Sequence, residues 1–152
     1  SRLFQKVRED RGLCYSIFSF AQMMSDTGVF GVYAGTSEET ANEMLKVCAA
    51  QLTDCLSNIQ TDELLRSKQQ LKASVLMRLD SVSASMDSLG RHIALFGKAQ
   101  NKDQLIRSIE AVSIESLSTL TAQIIAGRPA MAAVGPVSAV MNATDLSDLF
   151  RS

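Results

Sequence analysis

Histidine is nearly absent from this sequence, which contains a single one, His92. Catalytic zinc sites are commonly built from two or three histidines, so this chain alone cannot form one that needs two. Histidine is also the usual base beside a serine or cysteine nucleophile, and no nucleophile stands in a recognisable elbow near His92. The glycines at Gly12, Gly28, Gly31 and Gly35 are too dispersed for a phosphate-binding loop or a dinucleotide fingerprint. We therefore expect no catalytic residue and no metal ligand in this chain.

Long runs of charge and long apolar runs are also missing. The 15 basic and 16 acidic residues leave a net charge of −1, and no run of five like charges occurs. This balance is not that of a protein that binds nucleic acid electrostatically. The apolar stretches are far shorter than the ~20 residues that a membrane-spanning helix needs. The sequence thus predicts neither a nucleic-acid partner nor a membrane span.

The three cysteines do not form an obvious disulfide framework. Cys48 and Cys55 share a predicted helix and lie about 10 Å apart along its axis, whereas a disulfide needs Cα atoms closer than ~7 Å. Together with Cys14 they are expected to be small buried side chains in a reducing compartment. This favours the cytoplasm, or the mitochondrial matrix in a eukaryote.

The sequence does contain enough apolar residues for a core. With 152 residues and 46% hydrophobic content, a single domain over residues 1–152 is expected. Apolar residues at positions 3, 4 and 7 predict a helix over residues 2–11 that ends at Gly12. Residues 13–21 and 29–35 read as strands around the turn residues 25–28, which predicts a β-hairpin.

Helices dominate the remainder of the chain. Thr36 and Glu39 have the spacing of a capping box for a helix that runs to about Ile59. The later predicted elements are a helix from Thr61 with Leu79 on its apolar face, a break at 80–85, helices ending at Gly97 and starting at Asn101, a helix over 113–125, a strand in "RPAMAAVGP" (128–136) and a helical turn in "ATDLSDLF". This pattern predicts an α+β fold, a mostly antiparallel sheet with a layer of helices on one face.

The three predicted strands form a small sheet for the amount of helix that the sequence predicts. Its first strand follows a helix that has no cap at Ser1. Unpaired sheet edges and uncapped helix ends are costly. We therefore expect the chain to be truncated at its N-terminus, with Ser1 in the middle of a domain and with apolar faces that promote self-association.

One stretch carries a family resemblance. The chain begins "SRLF", continues with "VRE" at 7–9, "RGL" at 11–13 and "YS" at 15–16, and then reads "GVFGVYAGTSEE" at 28–39. These residues resemble the start of the C-terminal, non-zinc domain in the insulinase/pitrilysin and mitochondrial-processing-peptidase family of zinc metallopeptidases. The likeness extends more loosely to "AAVGP" at 132–136.

The resemblance implies a division of labour between two halves of an enzyme. In this family the halves close around an extended peptide, and the N-terminal half holds zinc through the motif H-x-x-E-H, which this chain lacks. It therefore implies that zinc belongs to an N-terminal half of the parent protein and that this chain binds no cofactor itself. The implied partners are a peptide or protein substrate and that N-terminal half or a zinc-bearing partner subunit, in a homo- or heterodimer.

Two residues are implied as the substrate-binding contribution of this half. They are Arg8 and Tyr15, which the turn at Gly12 can bring to one rim. A guanidinium fork and a phenol suit a peptide carbonyl that becomes an oxyanion when water attacks it. The alternative is structural: Arg8 pairs with Glu9 or Asp10 on a solvated face, and Tyr15 fills the core.

Three functions remain open at this point. The first is the C-terminal half of a zinc-dependent peptidase, inactive alone, whose parent is a zinc metalloendopeptidase. The second is a domain of a non-catalytic partner or scaffold subunit of the same family. The third is an independent helical binding domain. Whether the sequence upstream contains H-x-x-E-H would separate the first from the second.

Overall fold

The structure is a computed structural model that describes residues 1–99 and 101–151. The strands are β1 (Ser16–Met23) and β2 (Gly28–Gly35), and the helices are a π-helix (Phe4–Glu9), α1 (Glu38–Asp54), α2 (Thr61–Asp80), α3 (Val82–Phe96), α4 (Lys102–Ala111), α5 (Ile114–Ala126) and α6 (Ala143–Asp148). The predicted α+β class is confirmed. Leu79 was predicted on the apolar face of its helix, and this prediction lies outside the side chains that the structure describes.

The chain forms two compact units. The first contains Ser1–Gln22, Gly28–Asn58 and the chain from Ser118 onward, and the second contains Met23–Thr27 and Ile59–Leu117. The expectation of a single domain over residues 1–152 stays a prediction.

The core of the first unit surrounds Val7, whose side chain is fully buried. The buried residues packed together there are Leu3, Val7, Leu13, Cys14, Ile17, Met44, Val47 and Cys48. Val32 and Ala34 of β2 pack against this cluster. The core thus lies between one face of the hairpin, the π-helix and the inner face of α1, with helices on that face of the sheet as predicted.

The first helix is wound more loosely than an α-helix. The N–H of Asp10 donates to the carbonyl of Gln5, five residues back, at 2.8 Å. Its start is fixed to the end of α1 because Arg2 Nη1 lies 2.6 Å from Asp54 Oδ2. Gly12 follows with a φ of 62°, a left-handed conformation that suits glycine. The chain can therefore reverse there and enter the hairpin.

The predicted hairpin is confirmed, with one change at its start. The N–H of Met24 donates to the carbonyl of Thr27 at 2.9 Å and closes the turn. The first strand begins at Ser16, later than expected. The N–H of Leu13 donates to Val7 O at 3.0 Å. Leu13 is therefore bonded to the π-helix, which explains why the strand starts later.

The strand predicted over residues 128–136 is wrong. Residues 128–134 have no regular secondary structure. A strand exists through hydrogen bonds to a neighbouring strand, and in the described part of the chain these residues make no backbone hydrogen bond. Within the described part of the chain, the sheet consists of the two strands β1 and β2. The composition suits a strand, but the structure provides no strand beside it.

The capping predictions have mixed outcomes. The capping box at Thr36 is wrong, because α1 begins at Glu38 with Ser37 as its N-cap residue, and Thr36 Oγ1 donates to Leu13 O at 2.6 Å instead. The cap at Asn101 is confirmed, since its Oδ1 accepts from the backbone N–H of the residues two and three positions on. Gly97 ends α3 with a φ of 69°, as predicted.

In the second unit α2 contacts both α3 and α4. Lys68 Nζ donates to Glu110 O at 2.7 Å, and Lys72 forms an ion pair with the Glu110 carboxylate. The hydrogen bond from Lys72 lowers the pKa of Glu110. These contacts join the end of α4 to α2.

Candidate functional site

Arg8 lies in the last turn of the π-helix, directly after the buried Val7. The carbonyl of Arg8 accepts a hydrogen bond from Gly12 N–H at 2.9 Å. Its guanidinium carbon lies 4.8 Å from the centre of the Phe4 ring, and its Nε lies 3.9 Å from Glu9 Oε1. An exposed ion pair at that distance restrains a side chain weakly. The backbone is thus held in place while the guanidinium reaches solvent.

Tyr15 follows the buried residues Leu13 and Cys14 in the chain and directly precedes β1. Its N–H donates to Gly35 O at 2.7 Å, which fixes the backbone to the end of β2. Its side chain is 86% exposed. The alternative that Tyr15 fills the core is therefore wrong, because the neighbouring Cys14 and Leu13 take the buried positions.

A small groove of about 380 Å³ lies beside Tyr15. It is lined by Gly12, Leu13, Cys14, Tyr15, Gly35, Thr36, Ser37 and Thr40. Three of the lining hydroxyls form a chain: Thr36 Oγ1 lies 2.8 Å from Thr40 Oγ1, which lies 3.0 Å from Ser37 Oγ. Gly12 and Thr36 could be expected from the sequence to line a cleft, but the hydroxyl cluster was not predicted because Thr36 was assigned to helix capping. The available signal was that Thr36 and Ser37 lie four and three residues before Thr40, about one helical turn.

The two predicted substrate-binding residues are close along the backbone but are not joined by a contact. Among the described residues no hydrogen bond, ion pair or ring contact links Arg8 to Tyr15, and Arg8 does not line the groove. Burial raises the pKa of the Cys14 thiol, and the positive charge of Arg8 opposes that rise. That both side chains face one cleft stays a prediction.

The donor groups in the described part of the chain do not fit a zinc ion. Within the ranges that the structure describes, no group of three or more His, Cys, Asp or Glu side chains is arranged to hold a metal. The His92 ring is on α3, with its centre 5.0 Å from that of Phe96. No chemical step is therefore assigned to a metal held by these residues.

The three cysteines, all in the described part of the chain, form no disulfide. Cys14 and Cys48 are buried as predicted, and Cys55 is partly buried. Burial raises the pKa of the Cys48 thiol to about 11. A thiol protonated over the whole neutral range is a poor nucleophile, so Cys48 serves the core.

For the helices that the structure describes, none combines the length and the apolar character that crossing a bilayer requires.

Comparison with known proteins tests the resemblance to this family. Residues 1–71 match the family described as the peptidase M16 inactive domain. The chain is 32% identical to an uncharacterized zinc protease of Streptomyces coelicolor over 138 residues, which is 90% of this chain and 30% of that protein. It is 33% identical to an uncharacterized zinc protease of Bacillus subtilis over 137 residues, 90% of this chain and 34% of that protein. The resemblance to the C-terminal domain of M16 peptidases is confirmed.

A plant relative and a solved structure extend the comparison. The chain is 28% identical over 152 residues to a probable mitochondrial-processing peptidase subunit alpha-1 of Arabidopsis thaliana, covering 99% of this chain and 30% of that protein. A chain of Complex III2 from Candida albicans shares the fold with a TM-score of 0.89 at 17% identity, over 98% of this chain and 36% of that one. The chain thus spans about a third of the length of these M16 relatives.

Proposed function

We propose that this chain is the C-terminal half of a zinc-dependent peptidase of the processing-peptidase type, which helps to close the cleft and positions peptide substrate through Arg8 and Tyr15. The zinc belongs to the N-terminal half of the same protein or to a partner subunit. Relatives named as zinc proteases support the class of enzyme. The observation that carries the proposal is a tyrosine 86% exposed on a fixed backbone.

The two side chains contribute hydrogen-bond donors to the substrate. The phenol of Tyr15 and the guanidinium of Arg8 donate to a peptide carbonyl oxygen, and the interaction strengthens as negative charge develops there. Val7 packs the π-helix into the core, and the bond from Tyr15 N–H to Gly35 O holds the other side. Because the backbone at both positions is fixed before substrate arrives, little reorganisation is needed.

The test uses the complete enzyme and four variants. Arg8→Ala and Tyr15→Phe are expected to lower kcat about 100-fold, since removing one such donor costs roughly 3 kcal/mol, with zinc content unchanged. Arg11→Ala is the matched control for the arginine because its guanidinium is also exposed, 3.7 Å from Glu43. Tyr33→Phe is the control for the phenol. Chelation should abolish hydrolysis by the unmodified enzyme.

Three outcomes would contradict the proposal. If Arg8→Ala and Tyr15→Phe retain full kcat, these side chains do not bind the reacting carbonyl. If the control variants lose as much activity as the test variants, the effect is a general one on the domain. Loss of zinc in Arg8→Ala would place its role in assembly of the metal site.

A second candidate is a non-catalytic partner or scaffold subunit of the same family. The observation that favours it is the match to a relative named as an alpha subunit of a processing peptidase. In that case the complete protein lacks H-x-x-E-H, has no chelator-sensitive hydrolysis alone, and restores or stabilises activity when a zinc-bearing subunit is added. A homo- or heterodimer in the cytoplasm or mitochondrial matrix accompanies either function.

A further inference from the structure

A threonine at the end of β2 is bonded to the short segment that leads into Tyr15. Thr36 directly follows the last residue of β2, and its Oγ1 donates to Leu13 O at 2.6 Å. One residue earlier, the carbonyl of Gly35 accepts from Tyr15 N–H at 2.7 Å. Two adjacent residues therefore hold the two ends of the segment 13–15.

The carbonyl of Leu13 depends on this hydroxyl. The N–H of Leu13 donates to Val7 O at 3.0 Å, which fixes one side of the residue to the π-helix. Among the described residues no backbone N–H donates to the Leu13 carbonyl. A distance of 2.6 Å is at the short end of the range for a hydrogen bond from a hydroxyl. In this part of the chain, the Thr36 hydroxyl is thus the donor that restrains the carbonyl of Leu13.

The neighbouring hydroxyls direct their protons toward the same bond. A hydroxyl has one proton and a carbonyl oxygen can only accept, so the proton of Thr36 lies between its Oγ1 and Leu13 O. Thr40 Oγ1, 2.8 Å away, must then donate to Thr36 Oγ1. Ser37 Oγ, 3.0 Å from Thr40 Oγ1, donates to it in turn. Hydrogen bonds in such a chain polarise one another, so the bond to Leu13 O is strengthened by the two before it.

The position of the Tyr15 phenol is set mainly by its backbone. The side chain is 86% exposed, so packing restrains the ring little. One residue, Cys14, separates Tyr15 from Leu13, and a movement of the Leu13 carbonyl is passed to Tyr15 through that single residue. A displacement of about 1 Å at a group that positions substrate can cost roughly 100-fold in rate. The restraint from Thr36 is therefore at the place where a small movement has a large effect.

We propose that Thr36 is a positioning residue, whose hydroxyl holds the carbonyl of Leu13 and thereby places the phenol of Tyr15 against the substrate carbonyl. This inference rests on the proposed function, because Thr36 acts through Tyr15 and not by contact with the reacting atoms. A residue that served only the stability of the first unit would act on folding, and its loss would not depend on whether the phenol is present.

Peptide hydrolysis by variants of the complete enzyme tests the proposal. Thr36→Val keeps the shape of the side chain but removes the hydroxyl, and should lower kcat about tenfold with KM changed less than about twofold. Thr36→Ser keeps the hydroxyl and should restore kcat to within about twofold of the unmodified enzyme. Thr53→Val is the matched control, because Thr53 Oγ1 is buried without a hydrogen-bond partner among the described residues and lies outside the groove. Its kcat should be unchanged, and full kcat in Thr36→Val would overturn the inference.

A double variant tests whether Thr36 acts through Tyr15. Once the phenol is replaced in Tyr15→Phe, its position no longer matters, so adding Thr36→Val should lower kcat less than about twofold further. The same tenfold loss from Thr36→Val in both backgrounds would overturn the inference in favour of an independent effect on the domain.

Amide hydrogen exchange distinguishes failure of this inference from failure of the proposed function. In Thr36→Val the amide of Tyr15 should exchange roughly fivefold faster or more, while that of Val47, which is buried in α1, keeps its rate. Thr53→Val should leave both rates unchanged. Unchanged exchange at Tyr15 in Thr36→Val, beside a lowered kcat in Tyr15→Phe, overturns this inference alone. Full kcat in Tyr15→Phe overturns the proposed function and this inference with it.

Discussion

Substituting Val7 by alanine should destabilise the first unit by about 2 kcal/mol. Val7 has 0% exposure and packs with Leu3, Leu13 and Met44. Removing two methyl groups costs roughly 1.6 kcal/mol of transfer free energy at ~0.8 kcal/mol each, and a remaining void of roughly 40 Å³ adds ~1 kcal/mol. The better helix propensity of alanine offsets roughly 0.5 kcal/mol of this loss.

The measurement is urea unfolding of the variant and the unmodified protein. A loss of about 2 kcal/mol corresponds to a melting temperature lower by about 4–8 °C for a protein of this size. Val82→Ala is the matched control, because Val82 is 85% exposed and the same two methyl groups contact solvent. It should change the free energy of unfolding by less than ~0.5 kcal/mol. Equal effects of the two substitutions would refute the assignment of Val7 to the centre of the core.

Three further predictions follow from the backbone and the titrating groups. Gly97→Ala should destabilise by about 1 kcal/mol because its φ of 69° disfavours a side chain. Gly90 lies in a helix with nothing near its Cβ position, so Gly90→Ala should stabilise slightly in the same unfolding assay. The hydrogen bond from Lys6 lowers the pKa of Asp10 below its ordinary value of 3.8. The contribution of this bond to stability is therefore present above pH 3.8 and is lost as the pH falls through the lowered pKa. An NMR titration should show the pKa of Asp10 returning toward 3.8 in Lys6→Met. Burial raises the pKa of Cys48 from 9.0 to about 11, so stability should fall as pH rises from 9 toward 11, and a Cys48→Ala variant should lose that part of the pH dependence.

Local sequence patterns predicted the hairpin and most helix limits. The break before α3, the end at Gly97 and the cap at Asn101 each depend on residues within one helical turn. Such signals are readable because the hydrogen bonds that decide them are made nearby. The same reasoning failed at Thr36, where the hydroxyl bonds to Leu13 O, 23 residues away. A tertiary acceptor competed with the local one, and nothing in the spacing of Thr36 and Glu39 reveals it.

The strand over residues 128–136 could not be settled from composition. Small and branched residues indicate that a segment is able to form a strand, but pairing decides whether it does. The candidate site also depended on information that local sequence patterns do not contain. Arg8 and Tyr15 were identified by resemblance, and the structure adds that Tyr15 is exposed while Leu13 and Cys14 enter the core. Alternation alone does not determine which of these neighbouring residues faces solvent.

The proposed substrate site depends on β2 for its geometry. Tyr15 is held by its bond to Gly35, the last residue of β2. A two-stranded hairpin is marginally stable on its own and needs packing against other elements. Val32 and Ala34 of β2 pack against the core cluster, and this packing restrains the end of β2 and the backbone of Tyr15 with it. A phenol that must meet a carbonyl oxygen within hydrogen-bond distance gains directly from that restraint, so substitutions in the core can affect substrate positioning without contacting the substrate.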